Sequence, residues 1–177
     1  MENIYDIRRD KNLLFIFAND RQFKIKDENI LDKCVIVVNL FYEESVPRFM
    51  EMLNRIDNRI TIYIISSKCN VLELADSLSK RDNNIYMEKE NRGRDISALL
   101  VTARSIISRY EYFCFLHDKK AKNEYIRRDI DEWTNEMWMN CIADQNYIYS
   151  VLQTFEENEN LGILSPPEIL SDRLICG

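Results

Sequence analysis

A chain of 177 residues that is 46% hydrophobic and 31% charged, with only 3 Gly and 3 Pro, excludes a linker, a collagen and a disordered tail. At this length roughly 70% of the unfolded surface can be buried, so one full core is available. The net charge of -6 argues against a nucleic-acid partner, which calls for a basic balance or a basic face.

Residues 1–32 read as an N-terminal extension, with apolar runs at 13–17 and 22–25 flanking Ala-Asn-Asp-Arg as a hairpin. Residues 33–177 read as one domain. Its first strand is the run Cys34-Val-Ile-Val-Val-Asn-Leu40, covered on both faces. Residues 43–57 form a helix with Val46, Phe49, Met50, Leu53 and Ile56 on one side. A second buried strand spans 60–65, and Val71, Leu74, Ala75 and Leu78 mark a second helix. A third strand covers 84–88; Ile96, Leu99, Leu100, Ala103 and Ile107 give a third helix, and 112–116 a fourth strand. The last third is helical, with stripes at Ile130, Trp133, Met137 and Trp138 and at Ile148, Leu152 and Phe155. Residues 161–164 then read as a short strand stopped by Pro166-Pro167. The chain reads as cut short, with no closing element after Gly177.

Strands alternating with helices of about a dozen residues predict an α/β domain with a mostly parallel sheet. Ligands of such sheets sit outside the carboxyl ends of the strands. Those ends are 39–44, 66–68, 90–95 and 117–120, and three of the four carry charge clusters. The turn Glu90-Asn-Arg-Gly-Arg-Asp95 places one of three glycines where positive φ or close ligand approach is expected. Asp95 can cap the following helix, and Arg92 and Arg94 can clamp a phosphate or carboxylate with forked donors. The plain alternative is a capped turn with solvated arginines. In His117-Asp-Lys-Lys120, His117 and Asp118 could ligate a divalent cation, Mn2+ or Mg2+. Lys119 and Lys120 would repel that cation and could neutralise a diphosphate leaving group in its place. A solvated basic loop is the alternative there.

The stretch 117–128 holds five basic residues in twelve, with Lys122, Arg127 and Arg128 expected to pair on the surface with Glu124, Asp129 and Asp131. Of Trp133 and Trp138, one is expected in the core while the other could line a sugar site. No apolar run reaches the ~20 residues of a membrane helix, and residues 1–10 lack the apolar stretch of a secretory signal. Five cysteines without a C-x-x-C pair, with Cys34, Cys69 and Cys114 in or beside apolar runs, predict buried reduced thiols and a cytoplasmic protein. Glycines only at 93, 162 and 177 rule out G-x-G-x-x-G and the P-loop, and no zinc spacing or H-E-x-x-H occurs.

The motifs in combination, Asn39-Leu-Phe-Tyr-Glu-Glu44, Glu-Asn-Arg-Gly-Arg-Asp-Ile-Ser97, a strand ending in His-Asp-Lys-Lys120 and Asn-Leu-Gly-Ile-Leu-Ser-Pro-Pro167, resemble the rhamnan synthesis protein F family over about residues 33 to 167. The resemblance implies a GT-A-type, Rossmann-like glycosyltransferase domain in bacterial cell-surface polysaccharide assembly, lacking its C-terminal acceptor half. The donor implied is a nucleotide-sugar such as dTDP-rhamnose, and the acceptor a glycan or a lipid-linked glycan. By position in that fold, Asn39, Phe41 and Tyr42 would face the base. Asn91, Arg92, Gly93, Arg94 and Asp95 would face the nucleotide or sugar. His117, Asp118, Lys119 and Lys120 would face the diphosphate. The chain departs from many GT-A enzymes in having Ser66-Ser67 for an acidic pair and His-Asp-Lys-Lys for Asp-x-Asp, which leaves Asp118 as the one carboxylate there for a metal. The resemblance implies a general base from the C-terminal half, so none is assigned. These departures keep open a non-catalytic module that binds a partner or a glycan. Peripheral association with polysaccharide machinery at the inner face of the cell membrane is a further implication.

Overall fold

The computed structural model describes residues 26–27, 29–120 and 127–166, with the side chains of 127–129 left aside. The hairpin expected at 13–25 lies outside them. A short 3-10 turn, Ile30–Lys33, leads into β1, Cys34–Asn39, whose six residues are all buried. Parallel pairing joins β1 to β2, Thr61–Ser66, on one side and to β4, Tyr112–His117, on the other. β3, Asn84–Glu88, pairs with β2, giving the all-parallel order β3-β2-β1-β4. The domain is therefore α/β and Rossmann-like.

Alternation along β1 feeds two cores. Ile36 and Val38 face α1, Val46–Leu53, and α2, Cys69–Ser77, along with α5, Arg127–Ile142, and α6, Gln145–Glu157. Pro47 sits in the first turn of α1, where its missing N–H has no helical partner to lose. Val46, Phe49, Met50, Leu53 and Ile56 are all buried, as the sequence stripe predicts. Trp138 is the larger anchor at 1% exposure: it stacks on Phe49 at 3.8 Å, and its indole N–H donates to the His117 carbonyl at 3.0 Å. This is the core tryptophan of the pair. On the opposite face, Val35, Val37, Tyr63 and Ile65 lie beneath Ala98, Ala103 and Ile106.

Three expectations are corrected. The third helix is broken into α3, Arg94–Ser97, a π turn over Ala98–Thr102, and α4, Arg104–Ile107. The wider π turn shifts the phase of the face, so Ala98, Ala103 and Ile106 are buried while Ile96 and Leu100 turn outward. Residues 161–166 form no strand: nothing pairs with them among the described residues, and Ile163 is 82% exposed. Cys34 is buried, its thiol pushed up to about 12 by burial, but Cys69 is exposed at the start of α2, 3.2 Å from Glu73.

Arg81 is buried at the amino end of the sheet, where its guanidinium donates to the Ile56 carbonyl and, at 2.6 Å, to the Ile60 carbonyl. Asn83 and Asn84 accept from it at 3.1 Å each. Five donors in a fixed fork suit this task, and lysine could not reproduce it.

Trp138→Ala should lower unfolding free energy by about 3–5 kcal/mol in urea titrations. Trp138→Phe, which keeps a ring on Phe49 and loses the indole hydrogen bond, should lose about 1 kcal/mol from that bond.

Candidate functional site

The chain runs outward from β1 through β2 to β3 and then returns to place β4 on the other side of β1. The sheet thus has its topological switch point between β1 and β4, where open α/β sheets bind ligands. Parallel register sets Asn39 directly beside His117, and the Asp118 amide donates to the Asn39 carbonyl at 3.2 Å.

Beyond that pair, Asp118 turns inward and holds the loop after β1. Its carboxylate accepts from the Phe41 amide at 2.9 and 3.0 Å and from the Tyr42 amide at 2.7 Å. Ser45 Oγ lies 2.8 Å from the same carboxylate and 2.7 Å from the Tyr42 carbonyl, so its one proton serves either. Burial raises the pKa of this carboxyl above its ordinary value, against the pull of the Tyr42 and Phe41 amides, Ser45 and His117. The clamp fixes Phe41 and Tyr42 edge-to-face at 5.2 Å, with Lys68 Nζ 3.9 Å over the Phe41 ring and Lys120 Nζ 5.9 Å over Tyr42. Lys120 also pairs with Glu44, while Lys119 lies 4.9 Å over Trp133. The two lysines therefore diverge: one rests on α5, the other on the loop after β1.

The turn after β3 crosses the carboxyl edge to meet this group. Gly93 has φ +71°, and a Cβ there would sit 2.7 Å from Ser97 Cβ, so glycine is required on both counts. Arg94 follows at φ +50°, a left-handed conformation that strains a non-glycine residue. Lys89 braces the turn from inside, donating to the Glu90 carbonyl at 3.0 Å, the Arg92 carbonyl at 3.3 Å and Ser97 Oγ at 3.0 Å. Asn91, Arg92 and Arg94 stand exposed, and among the described residues neither guanidinium has an ion-pair partner. Asp95 does not cap its helix through its side chain; its Oδ2 instead lies 3.8 Å from His117 Nε2. His117 Nδ1 is 3.0 Å from the Asp118 carbonyl, to which it donates when protonated.

The two sequence motifs are thus joined through Asp95 and His117. His117 and Asp118, adjacent in sequence, have different engagements: the ring meets Asp95 and the carboxylate meets the loop. No group of three or more His, Cys, Asp or Glu side chains that could hold a metal occurs among the described residues. Lys68 and Lys89 are additions to the expected set of site residues, while Trp133, the tryptophan outside the core, lies beneath Lys119. Lys68 could have been found from its place at the end of β2; the bracing by Lys89 has no sequence signal.

The switch point of this parallel α/β domain carries cationic and aromatic side chains: Lys68 over Phe41, Lys120 over Tyr42 and Lys119 over Trp133. The chain belongs to the rhamnan synthesis protein F family, whose model matches residues 1–172 and so extends beyond the motif-bearing stretch at both ends. Membership gives it a role in rhamnan and polysaccharide synthesis. No curated protein and no solved structure matches the chain. Among the described residues, no helix is long and apolar enough to cross a membrane.

Asp118→Ala strands two amides in a partly buried site and should lower stability by about 2–3 kcal/mol in urea unfolding. Gly93→Ala should lower it by about 1–3 kcal/mol through left-handed strain alone, and the close approach to Ser97 adds to that.

Proposed function

We propose that this chain carries the donor-binding site of a GT-A-like glycosyltransferase that takes a nucleotide-activated sugar for cell-surface polysaccharide. The observation that carries the reading is the meeting of Asn91–Asp95 with His117–Lys120 beside the β1–β4 switch point, through Asp95 and His117 at 3.8 Å. Phe41 and Tyr42, held by Asp118, offer ring faces and edges to a base. Arg92, Arg94, Lys119 and Lys120 supply charge for the diphosphate. In the transfer, the acceptor hydroxyl oxygen bonds to the anomeric carbon as the bond to the diphosphate oxygen breaks, and the hydroxyl proton is released to water. The lysines then stabilise the negative charge left on the diphosphate.

A divalent cation, when bound, would supply the same stabilisation. The donor set fits one poorly: both Asp118 oxygens already accept hydrogen bonds, leaving Asp95 and His117 as the facing pair. The reading therefore assigns leaving-group stabilisation to the lysines.

The Asp118 clamp also favours a second reading, a non-catalytic module that binds partner or glycan, because it commits the carboxylate of His-Asp-Lys-Lys to a structural task. Calorimetric titration with UDP and dTDP, with and without manganese, separates the two. The transferase reading expects nucleotide binding without manganese, weakened about tenfold or more in Lys119→Ala and in Arg94→Ala by loss of a charge-assisted contact. Unchanged affinity in both variants, or no binding of either nucleotide, would overturn it.

A further inference from the structure

The broken helix after β3 presents three exposed aliphatic side chains within six residues. Ile96 is 58% exposed, Leu100 59% and Val101 74%, although a helix of this composition lying on a sheet would ordinarily bury them. The phase shift at the π turn gives the buried side to Ala98, Ala103 and Ile106 and leaves the larger side chains outward. On the same side of the sheet, Phe113 of the β4 edge strand is 52% exposed and extends the apolar area.

The charge within this segment is opposite in sign to that of the whole molecule. Between residues 89 and 109 stand Lys89, Arg92, Arg94, Arg104 and Arg109, against Glu90 and Asp95 alone, in a chain of net charge -6. Arg92, Arg94, Arg104 and Arg109 are exposed, and Arg104 follows Leu100 by four residues on the outward side. Arg109 reaches the Tyr63 hydroxyl at 3.3 Å, and the other three arginines have no ion-pair partner among the described residues. Exposed aliphatic side chains bordered by arginines are what an interfacial helix offers to acyl chains and anionic headgroups. A protein partner would be expected to need shape complementarity, whereas this surface offers protruding aliphatics within a positive rim.

We propose that this face, with Ile96, Leu100 and Val101 inserted and Arg104 at the headgroups, seats the protein on an anionic lipid surface. Asp95 at the start of the same helix then brings the carboxyl edge of the sheet to the membrane. The inference stands on this surface and not on the identity of the ligand bound at that edge.

Sedimentation with vesicles tests it, using the full chain without nucleotide and vesicles of either pure phosphatidylcholine or phosphatidylcholine with phosphatidylglycerol. The expected result is binding to the anionic vesicles only. It should be lost in Leu100→Glu/Val101→Glu and weakened about fivefold in Arg104→Ala, the effect of one arginine near an anionic surface. Circular dichroism checks that the variants remain folded. Absence of binding to anionic vesicles, or binding unchanged in the folded double variant, would overturn the proposal. So would a concentration-dependent dimer that the double variant abolishes while vesicles are ignored, which would assign the face to a second copy of the chain.

Discussion

Parallel pairing of β1 with β4 is the constraint from which the rest of the site follows. It closes the sheet on the side opposite β2 and sets Asn39 against His117. It also brings the Asp118 carboxylate under the amides of Phe41 and Tyr42. Without that pairing the loop after β1 would lose its carboxylate clamp, and the turn after β3 would have no histidine to reach. The indole of Trp138 secures the same point from the other face through the His117 carbonyl. One residue thus receives the sheet, the core helix and the crossing turn.

Much of the frame was legible because it rests on burial. The β-branched runs at 34–39 and 61–66 have one stable use, as central strands covered on both faces, and they take it. The stripe of α1 was equally plain, and the strand-end motifs gather at one edge because every strand of a parallel sheet ends there. What escaped depends on tertiary detail. The face of the third helix was misjudged because a single π turn changes the phase and nothing in Ala98–Thr102 announces it. A strand at 161–164 was expected from composition alone, yet a strand also needs a partner. Asp118 was read as a ligand, and its hold on Phe41 and Tyr42 could not be foreseen from positions so far apart in sequence.

Polar burial is concentrated at the two ends of the sheet. At the amino end Arg81 ties the turn before β2 to the start of β3, and at the carboxyl end Asp118 ties the loop after β1 to β4. Both charges are withdrawn from water into hydrogen bonds with backbone groups. The strands between carry apolar side chains and need no such help. The left-handed Gly93 and Arg94 belong to the carboxyl end as well, where strain is tolerated because Lys89 and Ser97 hold the turn from both sides.

The Asp118 clamp has a consequence for the order in which the molecule is made. Its carboxylate and the Phe41 amide are 77 positions apart, with β2, β3, β4 and the helices α1 to α4 between them. Closing so long a loop is entropically expensive until the intervening contacts exist, which makes such contacts late events in folding. During synthesis the loop after β1 emerges early but lacks its carboxylate clamp until β4 and its carboxyl end have left the ribosome. The carboxyl edge therefore takes its final shape together with the completed sheet.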